Sequence, residues 1–115
     1  MKNLEMNNNN IQIVNATPHA IILDNGTDRV TFPPSGNIAR VTMSTEIVGS
    51  LNGFDIVKNI PGEVEGIPSY QPGVYYLVSA LVLANSDRED LIAPDTNRAV
   101  RNDKGHIISV PGFTK

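Results

Sequence analysis

The sequence predicts an all-β fold, a small barrel or sandwich with one or two short helical turns. Turn-forming residues recur densely. Asn25-Gly26, Pro33-Pro34-Ser35-Gly36, Asn52-Gly53, Pro61-Gly62, Gly66, Pro68, Pro72-Gly73, Gly105 and Pro111-Gly112 cut the chain into short pieces. The pieces between them are rich in β-branched residues and have the length of strands. Helical signals are confined to two short stretches. Strands at roughly 8–12-residue spacing fit a small barrel or sandwich.

Taken in order, Ile11–Asn15 reads as the first strand. Ala20–Leu23 and Arg29–Phe32 flank Asp24-Asn25-Gly26 and should pair as a hairpin. Ile38–Thr42 is a further strand and Asp55–Asn59 a shorter one. Ser44–Leu51 has a helical reading, with Ser44 as N-cap, an Ile47, Val48 and Leu51 stripe, and Gly53 past its end. The competing reading makes Val41–Val48 one long strand. Gly62-Glu63-Val64-Glu65-Gly66-Ile67-Pro68 alternates acidic and apolar residues, as an edge strand with solvated charges would. Alternatively it offers Glu63 or Glu65 to a ribose hydroxyl. Val74–Ala84, apolar on both alternating sets, is expected to be a central strand covered on both faces. Ser86–Ile92 has the capping-box spacing of Ser86 and Glu89, which allows one helical turn. Arg98–Arg101 and His106–Val110 should form a last hairpin around Asn102-Asp103-Lys104-Gly105.

The 115 residues, 40% hydrophobic, suffice for one core, so residues 11–115 are read as a single β domain. Met1–Asn10, with four consecutive Asn, has no apolar h-region and reads as a disordered polar leader. No stretch approaches the roughly 20 apolar residues of a membrane helix. The net charge of −3 argues against broad nucleic-acid binding, which needs a basic footprint, but leaves room for one phosphate-sized pocket. Without Cys there are no disulfides, thiolate metal sites or thiol nucleophiles. His19 and His106 do not stand at metal-ligand spacing, and no cofactor motif is present. The chain also lacks Gly-x-Ser-x-Gly, a P-loop, His-Glu-x-x-His and a Rossmann fingerprint, so no catalytic residue is assigned.

Candidate binding residues come from five places. Pro18 bends the chain between two β segments; either Thr17 and His19 bond a ligand there, or the bend is a strand crossover in which Asn15 and Thr17 satisfy their own turn. Ser35-Gly36 offers a hydroxyl and an open N–H, the makings of an anion nest or of a plain turn. Arg40 shares a strand face with Ile38 and Thr42 and so needs an anionic partner, either a ligand phosphate or an internal carboxylate. Ser79, inside the expected central strand, needs a partner for a buried hydroxyl. Asn85–Asp90 and Ala93–Asn97 are polar segments following the most apolar run. In them Arg88 is suited to grip a phosphate, or pairs with a local Asp; Asp90 and Asp95 are acceptors for ribose or base donors.

The ordered set Asn15-x-Thr17-Pro18-His19, Pro34-Ser35-Gly36-x-x-Ala39-Arg40, Glu65-Gly66-Ile67-Pro68, Tyr76-Leu77-Val78-Ser79, Arg88-x-Asp90 and Pro94-Asp95 resembles a family of small phage and prophage proteins. The resemblance runs from about Ile11 to Pro111. By context, small phage proteins without catalytic motifs resemble counter-defence factors. Among these are sponges that sequester nucleotide immune signals, cyclic ADP-ribose isomers or cyclic oligonucleotides, in the cytoplasm of the infected bacterium. Such a likeness implies a homo-oligomer with pockets near subunit interfaces. It implies that Arg40 and Arg88 hold phosphates, while Thr17, His19, Ser79, Asp90 and Asp95 fix ribose and base. Two other classes stay open. One is a protein–protein interaction module, a virion component or an inhibitor of a host protein, which predicts an exposed apolar patch. The other is a small nucleotide hydrolase, since 12 acidic residues always supply some carboxylate pair.

Overall fold

The computed structural model describes residues 11–115, so the polar leader Met1–Asn10 lies outside the described residues. The fold is all-β with few helical turns, as expected. The ten strands among the described residues are β1 Gln12–Asn15, β2 Ile21–Asp24, β3 Arg29–Phe32, β4 Arg40–Leu51, β5 Phe54–Glu65, β6 Val74–Leu77, β7 Leu91–Pro94, β8 Val100–Arg101, β9 Ile107–Ser109 and β10 Phe113–Thr114. One short helix, α1 (Ala80–Ala84), and a 3-10 turn at Thr96–Arg98 complete it.

β1, β6, β7 and β10 form a four-stranded sheet in that order. β1 and β7 both run parallel to β6, and β10 returns antiparallel on β7. The core gathers on this sheet: Leu77, Val78 and Leu91 are fully buried, joined by Tyr76, Ala16, Ala39 and, from α1, Val82. The β2–β3 hairpin forms around Asp24-Asn25-Gly26 and the β8–β9 hairpin around Asn102–Gly105, both where the turn chemistry puts them. The two hairpins clasp each other. Asp24 N donates to Val110 O at 2.9 Å, and Val110 N donates to Ile22 O at 2.9 Å.

Four local expectations are corrected. Ser44–Leu51 is not a helix. It belongs to β4, which pairs with β5 as a 12-residue antiparallel ladder. Asp55–Asn59 and Gly62–Glu65 are therefore parts of one strand, continuous through Pro61-Gly62. The expected central strand Val74–Ala84 ends at Leu77: Ser79 caps α1 by accepting from Val82 N at 3.2 Å, and the Ala- and Leu-rich remainder turns helical. Ser86–Ile92 forms no helical turn. Ser86 Oγ accepts from Arg88 N at 3.2 Å in a local turn, and the chain enters β7 at Leu91.

The β4–β5 hairpin is an arm. Apart from its base, where Val41 and Val64 are half-buried, it stands in solvent. Its tip is the two-residue turn Asn52-Gly53, with φ of 50° and 85°. Two positive φ values give the turn that matches strand twist. At about 3.3 Å per residue, 12 residues extend about 40 Å. The described residues accordingly measure 57 × 39 × 31 Å.

Candidate functional site

The parallel strands end side by side. Asn15 lies opposite Leu77, and Leu77 opposite Ile92. The residues that follow these carboxyl ends, Thr17, Ser79 and Asp95, therefore belong to one end of the sheet. Two backbone bonds bring the Pro33–Arg40 segment there as well: Ser35 N donates to Asn15 O at 3.0 Å, and Ala39 N donates to Ala16 O at 2.9 Å. Thr17, His19, Ser35, Arg40, Ser79 and Asp95 thus share an end of the molecule. Arg88 and Asp90 do not. Asp90 precedes β7 at the other end, where its carbonyl accepts from Tyr76 N at 2.8 Å.

At the shared end the keystone is Asn15, which is 2% exposed. Its Nδ2 donates to His19 O and to Phe32 O, both at 2.8 Å, and its Oδ1 accepts from Thr17 N at 3.0 Å and Thr17 Oγ1 at 2.7 Å. Thr17 is buried and its hydroxyl is used inside the turn, with His19 O a second acceptor at 3.0 Å. Ser35 is exposed, and its hydroxyl bonds Asn37 within its own turn. Ser79 is exposed, not buried as the strand reading required, because its hydroxyl serves as helix cap. Asp95 accepts from Arg98 Nε at 2.6 Å. Arg40 opens β4 with its side chain exposed, opposite Glu65 in β5. Among the described residues no ion pair holds Arg40, so the cation is free for an outside anion.

At the opposite end, Arg88 and Asp90 form a fork: Nε donates to Oδ1 at 2.9 Å and Nη2 to Oδ2 at 2.6 Å. The guanidinium also lies 5.8 Å from the Tyr76 ring centroid. The hydrogen bonds from Arg88 hold the Asp90 carboxyl below the usual carboxylate range, against the opposing push of burial. The same bonds raise Arg88 above the ordinary guanidinium value. Two of its donor groups are therefore spent on Asp90. A shallow hollow beside the fork is lined by Tyr70, Asp87 and Glu89, whose carboxylates disfavour an anion there.

A second cavity, of about 350 Å³, opens where the two clasped hairpins meet the end of β7. Ile21, Ile22, Ile107, Ile108 and Val110 make its wall mostly apolar, with His19 and Thr96 also lining it. Ser109 also lines it, only 5% exposed, and its hydroxyl makes no hydrogen bond among the described residues. The turn reading of Asn15 and Thr17 is the one the structure shows, whereas sequence reasoning missed Ser109 in this wall. The available signal for Ser109 was one hydroxyl inside the apolar run Ile107–Val110.

No group of three or more His, Asp or Glu among the described residues is placed to hold a metal ion. No helix among them is long and apolar enough to cross a membrane, which says nothing of β-strand spans. No protein-family model matches the chain, and no curated protein or solved structure is significantly similar to it.

Proposed function

We propose that this chain is a binding protein, of the phage counter-defence kind, that sequesters a small anionic ligand of the nucleotide-signal class. The ligand would be a cyclic ADP-ribose-like molecule or a cyclic oligonucleotide, taken up in the bacterial cytoplasm without being cleaved. The observation that supports this reading is Arg40, an exposed cation with no carboxylate bonded to it among the described residues. It stands at the sheet end that also carries Ser35, Ser79 and His19, all exposed. A guanidinium offers paired donors to phosphate, and the short polar groups suit ribose and base. Arg88 is assigned to Asp90 rather than to phosphate.

The test is a thermal-shift panel of NAD, ADP-ribose, cyclic ADP-ribose isomers and cyclic dinucleotides, with mass spectrometry of the recovered ligand. Tight binding should raise the melting temperature by mass action, by about 2.7 kcal/mol of stabilisation at a hundredfold excess over Kd. Arg40→Ala should abolish the shift with the fold intact. Recovery of altered ligand would make the protein a hydrolase instead. No shift with any compound would leave the second reading, a protein–protein interaction module. That reading is supported by the β4–β5 arm, whose Ile47, Val48, Leu51, Phe54, Ile56 and Val57 are exposed.

A further inference from the structure

A two-stranded ribbon has no inside, so its apolar side chains stay in water unless another surface covers them. Phe54 is 77% and Leu51 67% exposed at the tip of the arm. Alternation in β5 places Phe54, Ile56 and Ile60 on one face, and Val57 on the other. The first face is apolar at the tip, where Leu51 pairs with Phe54, and the second carries Ile47 opposite Val57 among polar neighbours. β4 packs along its length on β5, and its contact with α1 is minor. The ladder, bulged at two places, sets the tip at its far end, about 40 Å of strand from its base, with Leu51 and Phe54 exposed there.

The body carries the matching concavity. Its wall is formed by Ile21, Ile22, Ile107 and Ile108, and its volume of about 350 Å³ compares with the roughly 150 Å³ that admits a benzene ring. The buried Ser109 hydroxyl is unpartnered there among the described residues, and a buried hydroxyl needs a partner. The tip brings both kinds of group, the Phe54 and Leu51 side chains and the polar Asn52 between them.

The geometry points to a reciprocal dimer, in which the Leu51–Phe54 tip of each copy's arm enters the cavity between the clasped hairpins of a second copy. Reciprocity closes the assembly with two-fold symmetry and leaves no tip or cavity over. A ribbon about 40 Å long and about 10 Å wide presents about 400 Å² on each face. With the tip seated, a partner that also lies along the arm and covers both faces reaches the roughly 800 Å² per partner of a standard interface. This inference does not depend on which ligand the protein holds, and its test uses the ligand-free chain.

Sedimentation velocity on the pure protein, from roughly 1 to 100 μM, is the experiment. The wild type should be a dimer in this range. The double variant Leu51→Ser, Phe54→Ser should dissociate about 100-fold more readily, with an unchanged circular-dichroism spectrum. Ala20→Phe, which fills the cavity mouth from an exposed position, should also yield a monomer. Mixing the two variants should restore association, since one retains an open cavity and the other an intact tip. A monomeric wild type would overturn the proposal, as would a tip variant that dissociates no more readily than the wild type. A dimeric Ala20→Phe protein would overturn it in favour of arms pairing with each other.

Discussion

Asp90 is 2% exposed, and both of its oxygens accept from Arg88, whose side chain is 31% exposed. A buried carboxylate stripped of its partner keeps its desolvation cost, so Arg88→Ala should destabilise the fold by about 2 kcal/mol. Thermal denaturation should show this as a fall of roughly 8 °C. The pH dependence has a definite sign. The folded Asp90 carboxyl lies below its unfolded value of about 3.9, so its contribution is complete above that value. It is lost as pH falls through the folded value. The stability gap between wild type and Asp90→Asn should therefore be constant from neutral pH to about 5 and shrink below about 4. A gap that persisted unchanged at pH 2 would mean that the charge of Asp90 contributes nothing. Gly66 makes the other prediction at this scale. Its φ is +94°, and an added Cβ would stand 2.3 Å from the Ile38 carbonyl oxygen. Gly66→Ala should cost more than about 2 kcal/mol, because backbone must move on both sides of the contact. Gly26→Ala, also at positive φ but facing open space, should cost less, which isolates the close approach from the strain.

The arm shows at the scale of an element what the sequence made legible and what it hid. The turn chemistry at Asp24-Asn25-Gly26 and Asn102–Gly105 identified two hairpins, because those turns are decided locally. Asn52-Gly53 is the same kind of signal, yet the stretch before it took a helical reading. The cause is a register shift between Ile47 and Gly49, which inserts Val48 as an extra residue in β4. That breaks the two-residue period and leaves Ile47, Val48 and Leu51 at helix-like spacing. Val74–Ala84 failed for a different reason. Its composition was apolar throughout, and only Ser79 marked the change from strand to helix. At the candidate site, the bend at Thr17-Pro18-His19 was readable as a turn, and Asn15 closes it. The cavity was not readable, since its wall joins residues near 20, 95 and 108 that only the fold brings together. One prediction belongs to this scale. Leu51 and Phe54 are mostly exposed at the tip, so Leu51→Ser with Phe54→Ser should leave the stability of the dissociated monomer within about 0.5 kcal/mol of wild type. Chemical denaturation at high dilution would measure it, and a larger loss would show that the tip folds back on the body.

For the whole molecule, the radius of gyration is 17.2 Å, against about 13 Å for a compact domain of 100 residues. The excess is the arm, nearly half of the strand residues spent on a hairpin that buries almost nothing by itself. The core is correspondingly small, with Leu77, Val78, Val82 and Leu91 its largest fully buried side chains. If the apolar surface of the arm is covered by a second copy, folding and association share one free energy, and the melting temperature becomes a function of concentration. For a dimer that unfolds to separate chains, each tenfold rise in concentration adds about 1.4 kcal/mol. That should lift the melting temperature by roughly 4 °C per decade. The Leu51→Ser, Phe54→Ser protein should show no such slope, and its midpoint should coincide with the dilute limit of the wild type. Scanning calorimetry across two decades of concentration measures both. A flat wild-type profile would mean that the monomer tolerates its exposed arm unaided, and the stability of the fold would then rest on the four-stranded sheet and the clasped hairpins alone.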